Sequence, residues 1–441
     1  MARWSPMSDL AAAYADHIAG LERAYAQVLT EAKLDALVVV AGQAALKNRF
    51  DDQSWPLAIT PTFAHWLPLR EPDAALVLVA GARPRLVRVK HEDYWDSAPR
   101  ADSDHFWASF DVATVASVQA IADEVPKGRV AMVASDEPPF ALPGPMNSPA
   151  LIASLEQLRT RKSAYELACL AEATRRAVRG HRAAQARFEA EGGSELALHL
   201  AYLAATEQDD GDTPYKNIVA RGHHAAVLHH VVYDKQAPAH DDDSLLVDAG
   251  AGCLGYGSDI TRTHVRGSGE DVDRFRALVA AVEQLQQQVC AEIRPGLEYE
   301  QLHDRAHELL ATALVELGIA TGGADEVLAR GVTRALFPHG LGHSLGLQVH
   351  DVGMKPRAPR ADNRYLRNTS VIEVGQVFTI EPGCYFIDQL LGPLRADDRS
   401  TLVDWKLVDR LARFGGVRIE DDVVVGEGGV RNLTREAWAA A

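Results

Sequence analysis

Cysteine is scarce in this sequence: Cys169, Cys253, Cys290 and Cys384 are the only four in 441 residues, and no two form a CxxC pair. Such spacing argues against a disulfide framework and for a reducing cytoplasm. Long apolar runs are missing as well. No stretch reaches the roughly 18 uncharged apolar residues that a membrane span needs, so none is expected. The opening MARWSPMSDLAAAYADHIAG carries Asp9, Asp16 and His17 where a signal peptide would have an unbroken apolar core. Basic excess is also lacking. With 45 Lys and Arg against 61 Asp and Glu the net charge is −16, which argues against a nucleic-acid surface. No internal repeat or low-complexity tract stands out. What is present is ordinary for a globular chain, 47% hydrophobic and 24% charged residues, and the length allows two or three domains with a real core. The expectation is a soluble, cytoplasmic protein that engages neither membrane nor nucleic acid.

The first 150 residues alternate helix-like and strand-like segments. Residues 9–32 space Leu10, Ala13, Tyr14, Ile18, Leu21, Tyr25 and Leu29 for a helix, and LDALVVVAG (34–42) reads as a buried strand. DAALVLVAG (73–81) and PRLVRVK (84–90) read as a hairpin, and RVAMVAS (129–135) as another strand. The proline-rich PPFALPGPMNSP (138–149) is the expected boundary between an α/β domain, 1–150, and a second domain, 151–441. There the pattern is helical over roughly 150–190 and 194–207. It then turns to β through NIVA, AAVLHHVVY, SLLVDAG and SDITRTHV. Two more helices are expected near 269–293 and 298–318, parted by Arg294-Pro295-Gly296. QVFTIEPGCYFI and GGVRIEDDVVV return to strands. The order suits an α+β fold with helices outside a curved antiparallel sheet.

The chemistry lies in the second part. Asp248 (VDAGAG), Asp259 (GSDITRT), His343 (HGLGHSLG), Glu381 (TIEPG) and Glu420 (VRIEDD) make a set of four carboxylates and one imidazole. Asp248 and Asp259 flank the glycine-rich AGAGCLGYGS, a spacing that suits adjacent strands with both side chains on one face. Taken alone, the two read as ordinary strand-end acids beside a turn. Glu381 and Glu420 each end an apolar run, where an acid is costly to bury without a partner. His339, His343 and His350 crowd twelve residues, and His229 and His230 add further imidazoles. An oxygen-rich set with one imidazole favours Mn²⁺, Mg²⁺ or Fe²⁺ over thiolate-bound zinc. Two such ions about 3.5–4 Å apart would give a two-metal hydrolase.

The five contexts, in this order and spacing, resemble the metallopeptidases of pita-bread fold. The similarity is strongest to bacterial Xaa-Pro dipeptidases of the prolidase and organophosphorus acid anhydrolase type. It covers essentially the whole chain, through LDALVVVAG, RFDDQSWP, KHEDYWDSAP, PYKNIVA, AAVLHH, SDITRT, HGLGHSLGLQVHDVG, RYLRNTS, TIEPGCYFIDQLLGPLR and FGGVRIEDDVVV. The resemblance implies an N-terminal α/β domain and a catalytic pita-bread domain. It also implies two divalent ions per subunit, Mn²⁺ in the first instance, and hydrolysis of Xaa-Pro dipeptides by a hydroxide held between them. By the same resemblance Asp259 and Glu420 bridge the ions, Asp248 completes one shell, and His343 and Glu381 complete the other. Glu381 also shuttles the proton. His229 and His350 match second-sphere histidines that hold the carbonyl and steady its oxyanion, and His339 matches another active-site histidine. Arg367 in RYLR matches the arginine that grips the free carboxylate. Tyr215, in PYKNIVA, falls among substrate-binding positions. Arg418 falls near the site, with a structural salt bridge and a substrate contact equally open. A homodimer is implied, in which a neighbouring subunit's first domain closes the pocket.

Departures from the pattern are Arg221-Gly222-His223, His230 and an extra residue in the acidic HDDDS stretch; none is a ligand. The alternatives are an aminopeptidase P, which cuts longer Xaa-Pro peptides, and a non-catalytic pita-bread binding module. Arg367 and the long segment between Glu381 and Glu420 stand against the first, and the intact quintet against the second. The quintet likewise stands against a metal-free creatinase. A side activity on organophosphorus triesters is also expected, because the same nucleophile can attack phosphorus.

Overall fold

The computed structural model describes residues 8–90, 106–135, 138, 140–209, 211–238 and 242–441. Most of KHEDYWDSAP and the start of HDDDS lie outside them. The chain divides into two compact units, one of Met1–Arg159 with Ser163–Ala168 and one of Thr160–Lys162 with Cys169–Ala441.

The first unit opens with α1 (Ser8–Glu31), which buries Tyr14, Ile18, Leu21, Tyr25 and Leu29 at helical spacing. Next come β1 (Ala36–Val40), α2 (Pro61–Ala64), β2 (Ala75–Leu78), β3 (Arg85–Val89), β4 (Asp111–Val115) and β5 (Val130–Val133). The sheet runs β4-β3-β2-β1-β5, with β2 and β3 the expected antiparallel hairpin and β1 parallel to β5. Val38, Val40, Val77, Val87, Ile121 and Met132 form its core. The helical run expected over 150–190 is broken. α3 (Pro149–Gln157) stops, and α4 (Ala164–Glu191) starts afresh. The cause is a capping box: the Ser163 amide donates to Glu166 Oε2 at 2.8 Å and the Glu166 amide to Ser163 Oγ at 3.3 Å.

In the second unit α5 (Glu195–Thr206) is followed by β6 (Ile218–Arg221), β7 (Asp243–Asp248), the short hairpin β8 (Gly252–Cys253) and β9 (Tyr256–Gly257), and β10 (Thr261–Arg266). β7 lies between β10 and β6, antiparallel to both, with Asp248 opposite Thr261. Period-two alternation then fixes the faces. Leu245 and Val247 pack with Phe188, Leu198 and Tyr202 of α4 and α5, while Leu246 packs with Ile218 and Ala220 on the opposite face. Asp248 shares the Leu246 face. AAVLHHVVY is not a strand. Gly222 turns the chain at φ +52° into a single 3₁₀ turn, Gly222–Ala226, and Glu195 binds the His224 and His230 side chains of the turn and the loop after it.

α6 (Glu270–Glu292), α7 (Tyr299–Glu316), α8 (Ala324–Ala329) and α9 (Val332–Leu336) precede β11 (Val377–Ile380) and β12 (Gly383–Tyr385). After α10 (Asp388–Ala396) and α11 (Trp405–Leu411) come β13 (Gly416–Arg418), β14 (Asp421–Gly426), β15 (Gly429–Asn432) and α12 (Leu433–Ala440). Every named strand pairing in this unit is antiparallel: β11-β14-β15, β12-β13 and β10-β7-β6. A lone bridge between Thr261 and Glu420 ties the β10 sheet to the β13–β14 segment. Phe275, Leu278, Val282 and Val289 of α6, with Leu302, Ala306 and Leu310 of α7, form one core with Phe378, Ile380 and Val423. Full burial of each such large side chain contributes about 1.5–3 kcal/mol. That core holds in place the strands whose ends carry acids. No described helix is long and apolar enough to cross a membrane.

Candidate metal centre

Four strand ends bring the acids together. Asp248 closes β7, Asp259 lies two residues before β10, Glu381 follows β11, and Glu420 fills the break between β13 and β14. His343 comes from the glycine-rich segment, which runs hard against β11. A Cβ at Gly342 would collide with the Thr379 carbonyl and the Tyr299 hydroxyl, so glycine is what permits this approach. The His343 amide donates to Thr379 Oγ1 at 3.2 Å, and Ser344 O lies 3.0 Å from His343 Nδ1. That bond leaves Nε2 to face the acids. Nε2 lies 3.3 Å from Asp259 Oδ2, 3.6 Å from Glu381 Oε1 and 4.0 Å from Glu420 Oε1.

Supporting bonds surround the cluster. The Tyr215 hydroxyl lies 2.7 Å from Asp248 Oδ1 and 2.5 Å from Asp259 Oδ1. Arg418 donates to Asp248 Oδ2 at 2.6 Å, to the Tyr385 hydroxyl at 3.0 Å and to Thr261 Oγ1 at 3.2 Å. Thr261 Oγ1 in turn donates to Glu420 Oε2 at 2.6 Å. The Asp259 amide donates to the buried Asp422, which also accepts from Thr174. His339 Nε2 lies 2.8 Å from the Tyr385 hydroxyl, and its Nδ1 lies 3.6 Å from Glu381 Oε2.

The cluster forms the wall of a cavity of about 810 Å³ that His229, His339, His350, Arg367 and Arg418 also line. The His350 ring stands edge-on to His343, centroids 4.4 Å apart. Tyr215 is not among the lining residues; it meets the site through its hydroxyl, which lies beside both aspartates. All five sequence-derived ligand candidates thus meet at one wall, and the five candidate histidines and arginines face the same space. Sequence reasoning missed Tyr385, Thr379 and Asp422. Tyr385 stood in the quoted GCYFI run, but only the β12–β13 register, Gly383 opposite Arg418, places its hydroxyl beside that arginine.

Electrostatically, so many acids in one buried spot oppose one another. Burial foremost, with repulsion from Asp259, lifts Asp248 to about 6 despite Arg418. Burial likewise lifts Glu381 to about 7 against the pull of His343 and Arg418. Glu420 is pushed well above the usual carboxylate range by burial and by its three acidic neighbours. His343 rises to about 9: burial works against its charge, but its bond to Asp259 and the charge of Glu381 outweigh it. Burial pushes His339 down to about 3 and His350 to about 4, so both are neutral at pH 7. Surplus buried negative charge, with oxygen donors and one oriented imidazole, fits divalent cations of the Mn²⁺ or Mg²⁺ type.

The raised carboxyls make stability depend on pH. Carboxyls lifted in the folded state stabilise it below their ordinary values near 4, and that stability is lost as the pH rises through about 6 and 7. The chelated protein should therefore become easier to unfold in urea between pH 4 and pH 7, by about 2–3 kcal/mol per carboxyl. Added divalent metal should remove much of that slope. A flat profile in chelator would contradict the lifted carboxyls.

Comparison with known proteins places this geometry in a family. Residues 168–427 match the model of metallopeptidase family M24, and residues 12–155 match that of the Xaa-Pro dipeptidase N-terminal domain. The Xaa-Pro dipeptidase of Stenotrophomonas maltophilia (strain K279a) is 41% identical over 98% of this chain and 99% of its own. That of Xanthomonas euvesicatoria pv. vesicatoria (strain 85-10) is 40% identical over 99% of this chain and 100% of its own. Among solved structures, Pseudomonas aeruginosa aminopeptidase PepP aligns with a TM-score of 0.71 at 25% identity, over 99% of this chain and 98% of that one. Aminopeptidase P from E. coli with the inhibitor Pro-Leu aligns at 0.71 and 23%, over 92% and 93%, a likeness of fold alone. The pita-bread expectation is met, and the chain binds metal as a metallopeptidase. The chain belongs to metallopeptidase family M24, among the bacterial Xaa-Pro dipeptidases.

Proposed function

We infer that the chain hydrolyses dipeptides of the form Xaa-Pro, as the names of its full-length relatives say of those proteins. The observation that carries this reading is the convergence of Asp248, Asp259, His343, Glu381 and Glu420 on a cavity that Arg367 also lines. In this reading Asp248, Asp259, His343, Glu381 and Glu420 would hold two divalent ions, Mn²⁺ in the first instance. Bound divalent ions supply Lewis acidity and a water acidic enough to be a nucleophile at neutral pH.

The chain's own residues do the rest. Glu381 accepts the proton of the attacking water and returns it to the departing proline nitrogen, which has no N–H of its own in the tertiary amide. His229 and His350 donate hydrogen bonds to the carbonyl oxygen as it becomes negative; the neutral His350 ring carries one such N–H. His339, also neutral, is oriented by Gly340 O at 2.8 Å and by the Tyr385 hydroxyl. Arg418 acts through Asp248, whose carboxylate it holds. Tyr215, whose hydroxyl bonds Asp248 and Asp259, holds these two carboxylates in place beside the substrate. Arg367 binds the free carboxylate of proline with its guanidinium fork. A first domain of about 1–150, a catalytic domain of 151–441, a cytoplasmic setting, a homodimer closing the pocket and a side activity on phosphotriesters belong to the same reading.

Arg367→Ala should raise KM for Ala-Pro by about 10–100-fold, the worth of a charge-assisted hydrogen bond, with a smaller effect on kcat. Steady-state kinetics on Ala-Pro that match the parent would remove its carboxylate role. Substrate length is read by comparing Ala-Pro, Gly-Pro and a proline-containing tripeptide after chelation and Mn²⁺ restoration. Tripeptide cleavage with little dipeptide cleavage would make the chain an aminopeptidase P instead.

A further inference from the structure

A second cluster of ligating side chains lies apart from the catalytic wall. Glu195, the first residue of α5, is buried, and its carboxylate is held by two backbone amides. Arg221 N–H donates to Oε1 at 2.9 Å and Asp234 N–H to Oε2 at 2.8 Å. Two imidazoles meet the same carboxylate: His224 Nδ1 lies 2.8 Å from Oε1, and His230 Nε2 lies 2.8 Å from Oε2. Their rings stack with centroids 4.3 Å apart and 23° between planes. Asp234 Oδ2 lies 4.0 Å from His224 Nδ1.

We propose that Glu195, His224 and His230 form a second metal site, for a zinc-like first-row divalent ion, distinct from the catalytic pair. One ligand atom from each residue lies within 4.8 Å of the other two. Donors around a four-coordinate ion with bonds of about 2.0–2.2 Å lie roughly 3.3–3.6 Å apart, so the three side chains would adjust to close on it. Two imidazoles to one carboxylate is a softer set than the catalytic one and selects zinc-type ions over Mn²⁺ or Mg²⁺. Two amides fix the carboxylate, as outer-shell bonds fix ligands in metal sites. The two amide donors favour the carboxylate form of Glu195, so it offers an anionic ligand. His224 and His230 are partly exposed, which gives an ion access, and the exposed Asp234 carboxylate or a water completes four-coordination.

The site has a consequence for the cavity. His229 lies between the two histidines in sequence and lines the cavity. An ion joining His224 and His230 to α5 would pin the segment that presents His229.

The test is metal stoichiometry. The full chain, stripped with chelator and dialysed against Zn²⁺, is compared with the double variant His224→Asn, His230→Phe by elemental analysis. The parent should hold one equivalent more than the variant. Equal content overturns the site. A failure of the catalytic reading would lower both totals and leave their difference unchanged. Should the variant not fold, the parent still decides. Zn²⁺ at ten times its Kd should slow diethyl pyrocarbonate modification of His224 and His230, located by mass spectrometry, by about tenfold. Unchanged rates at these two rings overturn the proposal.

Discussion

Replacing Glu381 with glutamine lowers kcat on Ala-Pro by about 10²–10⁴-fold, the range that a positioned general base contributes, while metal content stays at the parent level. The geometry explains why the two effects separate. Glutamine keeps a carbonyl oxygen where Oε1 now faces His343 Nε2 at 3.6 Å, and so keeps a ligand for the ion. What it loses is the basic oxygen. Burial lifts the Glu381 carboxyl to about 7 in the metal-free protein, and a bound cation would keep it ionised and ready to accept a proton. The measurement pairs steady-state kinetics with elemental analysis of the dialysed variant. Turnover equal to the parent with metal retained would remove the proton-transfer role.

The second large effect is on stability. Arg418→Met should destabilise the chelated protein by about 3–5 kcal/mol, because it leaves a buried charge without its partner. Arg418 is 4% exposed and bonds Asp248, Tyr385 and Thr261 together. Without it the Asp248 carboxyl rises further, since Arg418 is the main influence holding it down. Urea unfolding in chelator reads the loss. Two comparisons identify its cause. Divalent metal should recover part of the stability by supplying the missing positive charge. Arg418→Met made in an Asp248→Asn background should cost much less than in the parent, as expected when two mutations remove one shared interaction. An equal cost in both backgrounds would mean that Arg418 acts through packing.

Metal affinity and the dependence on Arg418 share one physical origin. A fold that gathers four buried acids around Arg418 and His343 stores unfavourable electrostatics in its metal-free form. In that form the protonated His343 ring provides positive charge where cations are expected.

By itself the sequence determined the local elements and the chemical vocabulary. The helical spacing of Tyr14 to Leu29, the apolar run of SLLVDAG and the Arg294-Pro295-Gly296 break are set by neighbours a few residues apart. Helix and strand read off them directly. Among the ligand candidates Glu381 and Glu420 were legible for a related reason: each ends an apolar run, where only a partner makes its burial tolerable. Where the local signal misled, a distant or specific bond overrode it. The Ser163–Glu166 box split one helical pattern into α3 and α4. Glu195, some thirty residues upstream, drew AAVLHHVVY into a turn by binding His224 and His230.

Only the tertiary structure decided which groups touch. The pairing of β7 with β10, and the bridge between Thr261 and Glu420, set Asp248, Asp259 and Glu420 side by side. The register of β12 on β13 put Tyr385 between Arg418 and His339. Contacts of this kind join residues up to 248 positions apart. No periodicity along the chain encodes them, because register is fixed by packing across strands rather than by sequence neighbours.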